Sequence, residues 1–161
     1  MRTLSLKIAA AVDARTDKDA LPCRVAVESD GQGLALELTA CSALGVAFEA
    51  LAFTDPGDGE RSTETLRGWA DRLAARVTYL MEPLVLIEID AVAGEVELRS
   101  QVPTARGELK SFYEVRLNKQ GAMRLTRVVF DEETRRRRPA SCQLTREVLE
   151  RLTDDLVDCS G

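Results

Sequence analysis

Runs of alternating apolar and polar residues, closed by an amphipathic helical stretch, occur twice in this chain, and that order restricts the fold more than any other feature. The first round ends in the stretch Ser62–Met81 and the second in Thr145–Val157. Alternation gives a strand one buried face, and an apolar stripe of helical period gives a helix one buried side. Strands that reverse through short turns pair antiparallel, and helices with one apolar side each settle on a single face of the sheet. The expected fold is one α+β domain over residues 1–161, a largely antiparallel sheet of about seven or eight strands with two amphipathic helices packed on one face.

The alternation sets the expected strands. Leu4, Leu6 and Ile8 flank Ser5 and Lys7, which reads as a strand. Val25 and Val27, then a turn over Ser29–Gly33, then Leu34, Leu36 and Leu38 read as a hairpin with one buried face. The apolar run 45–53 fits a strand or a short helix, and a strand is expected. Asp55-Pro56-Gly57-Asp58-Gly59 breaks the chain, and Ser62 or Thr63 then caps a helix striped by Leu66, Trp69, Ala70, Leu73, Val77 and Leu80. Val85, Ile87 and Ile89, the turn Ala91–Gly94, and Val96 with Leu98 form the next hairpin. After Gly107, residues Leu109, Ser111, Tyr113, Val115 and Leu117 share one face of a long strand, and Lys110, Phe112, Glu114 and Arg116 share the other. Ala122–Phe130 returns, and Val148, Leu149, Leu152 and Leu156 face inward on the last helix. In both halves a glycine opens an alternating strand (Gly33, Gly94), a second follows (Gly45, Gly107), and an aromatic–glutamate pair comes after (Phe48-Glu49, Tyr113-Glu114). This suits an internal ββ(β)α duplication and equally two amphipathic meanders.

Composition narrows function mainly by exclusion. The chain has no histidine, which removes Ser–His and Cys–His nucleophiles, histidine general bases and histidine metal ligands. Cys23, Cys41, Cys142 and Cys159 form no C-x-x-C pair and read as small buried hydrophobes. No metal or cofactor is expected. Neither phosphate-cradling glycine pattern opens a helix after a strand. Ala40-Cys41-Ser42-Ala43-Leu44-Gly45 approximates the [D/N]-x-S-x-x-G element of PilZ cyclic-dinucleotide receptors, but Ala40 occupies its first position and no suitably spaced R-x-x-x-R precedes it. The acids Glu88, Asp90, Glu95 and Glu97 fall on one side of a hairpin and read as a solvated face rather than a cation site. No window reaches the ~18 apolar residues of a membrane span. The N-terminus lacks a signal-peptide pattern, so a cytoplasmic location with reduced cysteines and no membrane partner is expected.

Charge supplies two candidate sites. The net charge of −5 disfavours nucleic acid, yet residues 99–138 are rich in arginine. The run Arg135, Arg136, Arg137 and Arg138 is a candidate site for an anionic partner, since guanidinium groups grip phosphate and carboxylate bidentately. The competing reading is a solvated loop neutralised by Asp131, Glu132 and Glu133. Phe112, on the polar face with Lys110, Glu114 and Arg116, is a candidate interface residue, the alternative being that the N-terminal segment or a loop covers it. The order strands, helix, strands, helix is similar to that of small acidic secretion chaperones, although the sequence reading finds no N-terminal helix of the kind they carry. The functional expectation is a nonenzymatic interaction or assembly factor, adaptor or chaperone-like, forming a homodimer and holding a protein client. One alternative is a small anionic-ligand module built on the Arg-rich strands. The other is an enzyme using carboxylates or Tyr113.

Overall fold

The computed structural model describes residues 2–15, 21–101 and 103–160, and its first element corrects the sequence reading. α1 (Thr3–Asp13) is a helix where the alternation of Leu4, Leu6 and Ile8 suggests a strand. The longer window explains the difference. Leu4, Ile8 and Val12 recur every four residues and are all buried, whereas Leu6 is 64% exposed. Ala9, Ala10 and Ala11 add the strongest intrinsic helix preference.

One antiparallel sheet of ten strands follows. It comprises β1 (Cys23–Ser29), β2 (Gln32–Cys41), β3 (Gly45–Thr54), β4 (Leu84–Asp90), β5 (Glu95–Ser100), β6 (Thr104–Arg106), β7 (Leu109–Asn118), β8 (Ala122–Asp131), β9 (Arg136–Ala140) and β10 (Cys142–Thr145). α2 (Thr63–Arg76) joins β3 to β4, and α3 (Arg146–Ser160) ends the described chain. The antiparallel α+β architecture with helices on one face is therefore present, with α1 as a third helix. The ambiguous run 45–53 is strand. The main path through the sheet is β1-β2-β3-β8-β7-β5-β4.

The sheet forks in its middle. β3 pairs with β8 through Ala50–Thr54 and with β10 through Gly45–Phe48. β8 in turn pairs with β3 through Ala122–Thr126 and with β9 through Arg127–Asp131. The chain from Arg136 to Thr145 thus leaves β8, passes Ser141 and joins β3. The arginine run read as a solvated loop is this strand β9, entered through a turn in which Arg135 has φ +61°. A second irregularity lies where β5 gives way to β6 along β7. There Ser100 Oγ accepts the Tyr113 backbone N–H at 2.8 Å, satisfying a donor that the ladder leaves open.

All three helices lie on one face. α1 covers β1 and β2, α2 covers β4 and β5, and α3 runs between them over β3 and β10. The core between the layers includes Phe48, Phe53, Trp69, Leu73, Leu125 and Leu152, each 1% exposed or less. Ser62 caps α2 by accepting the Thr65 N–H at 3.1 Å. Ser62→Ala is expected to cost about 1 kcal/mol in urea unfolding, the usual worth of such a cap. α2 stops at Arg76 rather than Met81, because the next residues serve α3. Arg76 pairs with Asp155 (2.9 Å) and Asp158 (2.8 Å), and Tyr79 Oη donates to Asp155. Thr145 caps α3 through the Val148 N–H at 3.1 Å, and Arg72 Nε donates to the Cys159 carbonyl at 2.9 Å near the other end.

Candidate functional site

The face without helices is more closed than its sequence suggests. Phe112 is only 9% exposed, because Arg99 and Arg137 stack on its ring at 5.3 and 5.7 Å. Glu97, expected on a solvated face with Glu88, Asp90 and Glu95, is buried at 6% exposure, as is Glu114 at 5%. The two carboxyls are close enough to act on each other and are ringed by arginines. Arg116 reaches Glu97 at 2.7 Å and Glu114 at 3.1 Å, Arg99 reaches Glu97 at 3.0 Å, and Arg137 reaches Glu114 at 2.9 Å. Arg137 therefore ties β9 to β7 across β8.

Burial, then the bond to Glu114 and its charge, raise the pKa of Glu97 above the usual carboxylate range despite Arg99 and Arg116. Burial pushes Glu114 up as well, but the bonds from Glu97 and Arg116 and the charges of Arg137 and Arg116 outweigh it and hold Glu114 below that range. The shifts have opposite consequences. The stability from a protonated Glu97 is complete below the ordinary range and lost as pH rises through its raised value, while that from Glu114 is lost as pH falls through its lowered one. Glu97→Gln keeps a donor for Glu114 and removes the first dependence. Urea unfolding from about pH 4 to about pH 7 is expected to show the variant gaining relative to wild type as pH rises.

The other face carries the candidate site, at the end where β6, β7, β8 and β9 run past the main helix contacts. Cross-strand register puts Ser111 opposite Val129, Tyr113 opposite Arg127, and Val129 opposite Arg138, so these side chains share one face. Ser111, Arg127, Val129 and Arg138 border a groove of about 250 Å³ with Thr104, Arg106, Leu109 and Met81 along its rim. Met81, 68% exposed, is held at φ +56°, a conformation that non-glycine residues adopt at some cost.

Arg127 is the unusual member. It is 9% exposed, its guanidinium stacks 4.6 Å over the Tyr113 ring, and Nη2 donates to Ser111 Oγ at 2.7 Å. Nη1 is buried and has no partner. Among the described residues no carboxylate pairs with Arg127, Arg106 or Arg138. Glu82, a buried carboxylate close enough to act on the Tyr113 phenol, is engaged by Ser100 Oγ at 3.3 Å and does not border the groove. Behind Arg127, burial pushes the Cys142 thiol up to about 12, and burial with the charge of Cys142 raises Tyr113. Both groups stay protonated at neutral pH, so neither is a ready base or nucleophile.

Of the arginines marked by sequence, Arg138 borders this groove, Arg137 is paired on the opposite face, and Arg135 stacks on Phe130 at 5.5 Å. Two of the three acids expected to neutralise the run are engaged otherwise. Asp131 Oδ1 accepts the Glu133 N–H at 2.9 Å, and Glu132 pairs with Lys110. Sequence reasoning did not single out Arg127, although the alternation Met123, Leu125, Arg127 places a charge at a core-facing position. A groove of about 320 Å³ is bordered by Arg124 and Arg137, and by Arg127 and Arg138 as well, but Glu49 shares it and Arg137 is already paired. A further groove, about 470 Å³ beside Leu44 and Leu144, has no charged side chain along it. Among the described residues, no cluster of His, Cys, Asp or Glu is placed to hold a metal ion, and no helix is long and apolar enough to cross a membrane.

No family model matches this chain, no curated protein is detectably similar to it, and no solved structure matches its fold.

Proposed function

We propose that this protein is a nonenzymatic binding module that holds an anionic group in the groove formed by Arg106, Arg127 and Arg138. One observation carries the reading: Arg127 is a buried guanidinium whose Nη1 is unpartnered and which forms no ion pair with a carboxylate among the described residues. Burying an ion costs several kcal/mol. A stack on an aromatic ring returns about 2 kcal/mol or more when desolvated, and a hydrogen bond to a charged group about 1.5–3 kcal/mol, which together leave part of that cost unmet. A bound anion would supply the missing charge and acceptor together. Neither Tyr113, beneath the Arg127 guanidinium, nor Cys142 borders the groove, and both are protonated at neutral pH, which favours binding over catalysis.

The test is the free energy of unfolding against added phosphate, sulfate or acetate at fixed ionic strength. The reading expects saturable stabilisation, about 2.7 kcal/mol at a hundredfold excess over Kd, that Arg127→Met abolishes. An unsaturable rise shared by wild type and variant would be the ordinary exclusion of these anions from the protein surface and would refute it.

A second reading, a self-associating assembly factor with a protein client, draws on apolar side chains on and beside the sheet. Val85 faces the side without helices at 38% exposure, and Leu44 is 84% exposed. The outer strand β4 is a poor edge for pairing, since it carries Glu88, Asp90 and a register shift between Leu86 and Glu88. A dimer would therefore use the face. Light scattering across protein concentration and salt tests this: a salt-resistant dimer supports it, and a monomer at every concentration ends it.

A further inference from the structure

We infer that the anion taken by the Arg127 groove is the dianionic head of a small-molecule phosphate monoester; this rests on the anion-binding reading and specifies its ligand. Charge is the first argument. Arg106, Arg127 and Arg138 border one groove, no carboxylate lines it, and none of the three has an ion pair among the described residues. A single carboxylate would leave most of that charge in place, whereas a dianion offsets two thirds of it.

The directions of the donors are the second argument. Arg127 sits on β8, Arg138 on β9 and Arg106 on β6, each at a different row of the cross-strand register, so the three residues reach the groove from different strands rather than from one row. A planar carboxylate offers two oxygens in one plane. A phosphate monoester offers three terminal oxygens around a tetrahedral centre, one for each side, with Thr104 and Ser111 hydroxyls beside them.

The rim supplies the third. Met81 and Leu109 are exposed apolar side chains at the groove mouth, 68% and 36%, suited to an organic carrier rather than to free phosphate alone. The volume of about 250 Å³ is below the usual range of drug-sized sites, so the carrier is small. Because Arg127 Nη1 lies beneath the surface, entry of the head requires the rim side chains to yield.

Calorimetric titration at about pH 8, where a monoester is dianionic, tests the inference with four probes: phenyl phosphate, methyl phenyl phosphate, benzoate and inorganic phosphate. Phenyl phosphate is expected to bind at least tenfold more tightly than its methyl diester, which has one charge and two terminal oxygens. It should also exceed benzoate by at least tenfold and inorganic phosphate by several-fold. The exposed-site variants Arg106→Ser and Arg138→Ser should each weaken phenyl phosphate by tenfold or more, independent of any folding defect in Arg127→Met. If benzoate binds as well as phenyl phosphate, the monoester inference fails while anion binding stands. If no probe binds, both fail. If phenyl phosphate binds but survives all three arginine variants unchanged, the ligand sits elsewhere and the inference is overturned.

Discussion

Trp69→Ala is expected to remove about 3–5 kcal/mol of stability, the loss typical of a fully buried large aromatic truncated to a methyl. Trp69 is 1% exposed on the inner face of α2, so the cavity left behind has no solvent to fill it. The ring also supports Arg61, whose guanidinium stacks on it at 4.4 Å. From that position Arg61 Nη2 donates to the Asp55 carbonyl at 2.8 Å and reaches the Ser160 carbonyl at 3.4 Å. The truncation therefore loosens the contact between the start of α2, the end of β3 and the end of α3, as well as the core. Trp69→Phe is a useful comparison. It keeps most of the apolar bulk and removes an indole N–H that has no partner, so it should cost well under half as much. Urea unfolding of the two variants gives the values directly.

Gly121→Ala is expected to cost about 2–5 kcal/mol, combining a left-handed backbone penalty of about 1–2 kcal/mol with overpacking of about 1–3 kcal/mol. Gly121 has φ +83° in the turn between β7 and β8. A Cβ there would collide with the Asp55 carbonyl oxygen and sit 2.9 Å from the carbonyl carbon and 3.3 Å from Pro56 Cα. These are backbone atoms that cannot swing aside. The Asp55 N–H donates to the Gly121 carbonyl at 2.8 Å, and the Asp55 carboxylate accepts from Ser160 Oγ at 2.7 Å and Gln32 Nε2 at 3.2 Å. Displacing Asp55 thus disturbs the β3–β8 pairing and the seat of α3 together. Thermal or urea unfolding checks the size. A loss below about 0.5 kcal/mol would mean that the turn relaxes without moving Asp55.

The parts of this architecture that sequence makes legible are those where local period and burial agree. The stripe of α2, the alternation along β7 and the caps at Ser62 and Thr145 each depend on neighbours within a few residues. α1 is misleading because a five-residue window at Leu4–Ile8 satisfies both periods, and only Val12, buried four residues further on, separates them. The end of α2 depends on Asp155, a partner 76 residues beyond Tyr79, which no local pattern announces. β9 is hidden for a similar reason. Its four consecutive charged or proline residues resemble a loop, and only pairing with β8 makes them a strand.

The candidate site follows the same division. Residues 99–138 are visibly rich in arginine, but sequence does not separate Arg137, neutralised by Glu114 on one face, from Arg138, bordering the groove on the other. That separation is a consequence of strand alternation once β9 is known to be a strand. The strongest sequence signal is Arg127 itself. It follows Met123 and Leu125 at core-facing positions, where a charge needs a partner.

The most direct measurement of the central claim is the NMR spectrum of the arginine side chains during titration with inorganic phosphate and phenyl phosphate, assigned through single Arg→Lys variants. The account predicts saturable shifts for Arg127, Arg138 and Arg106, with Arg72 and Arg76, bound to α3, unmoved. Shifts confined to Arg124 and Arg137, or a uniform drift of all arginines with ionic strength, would contradict it.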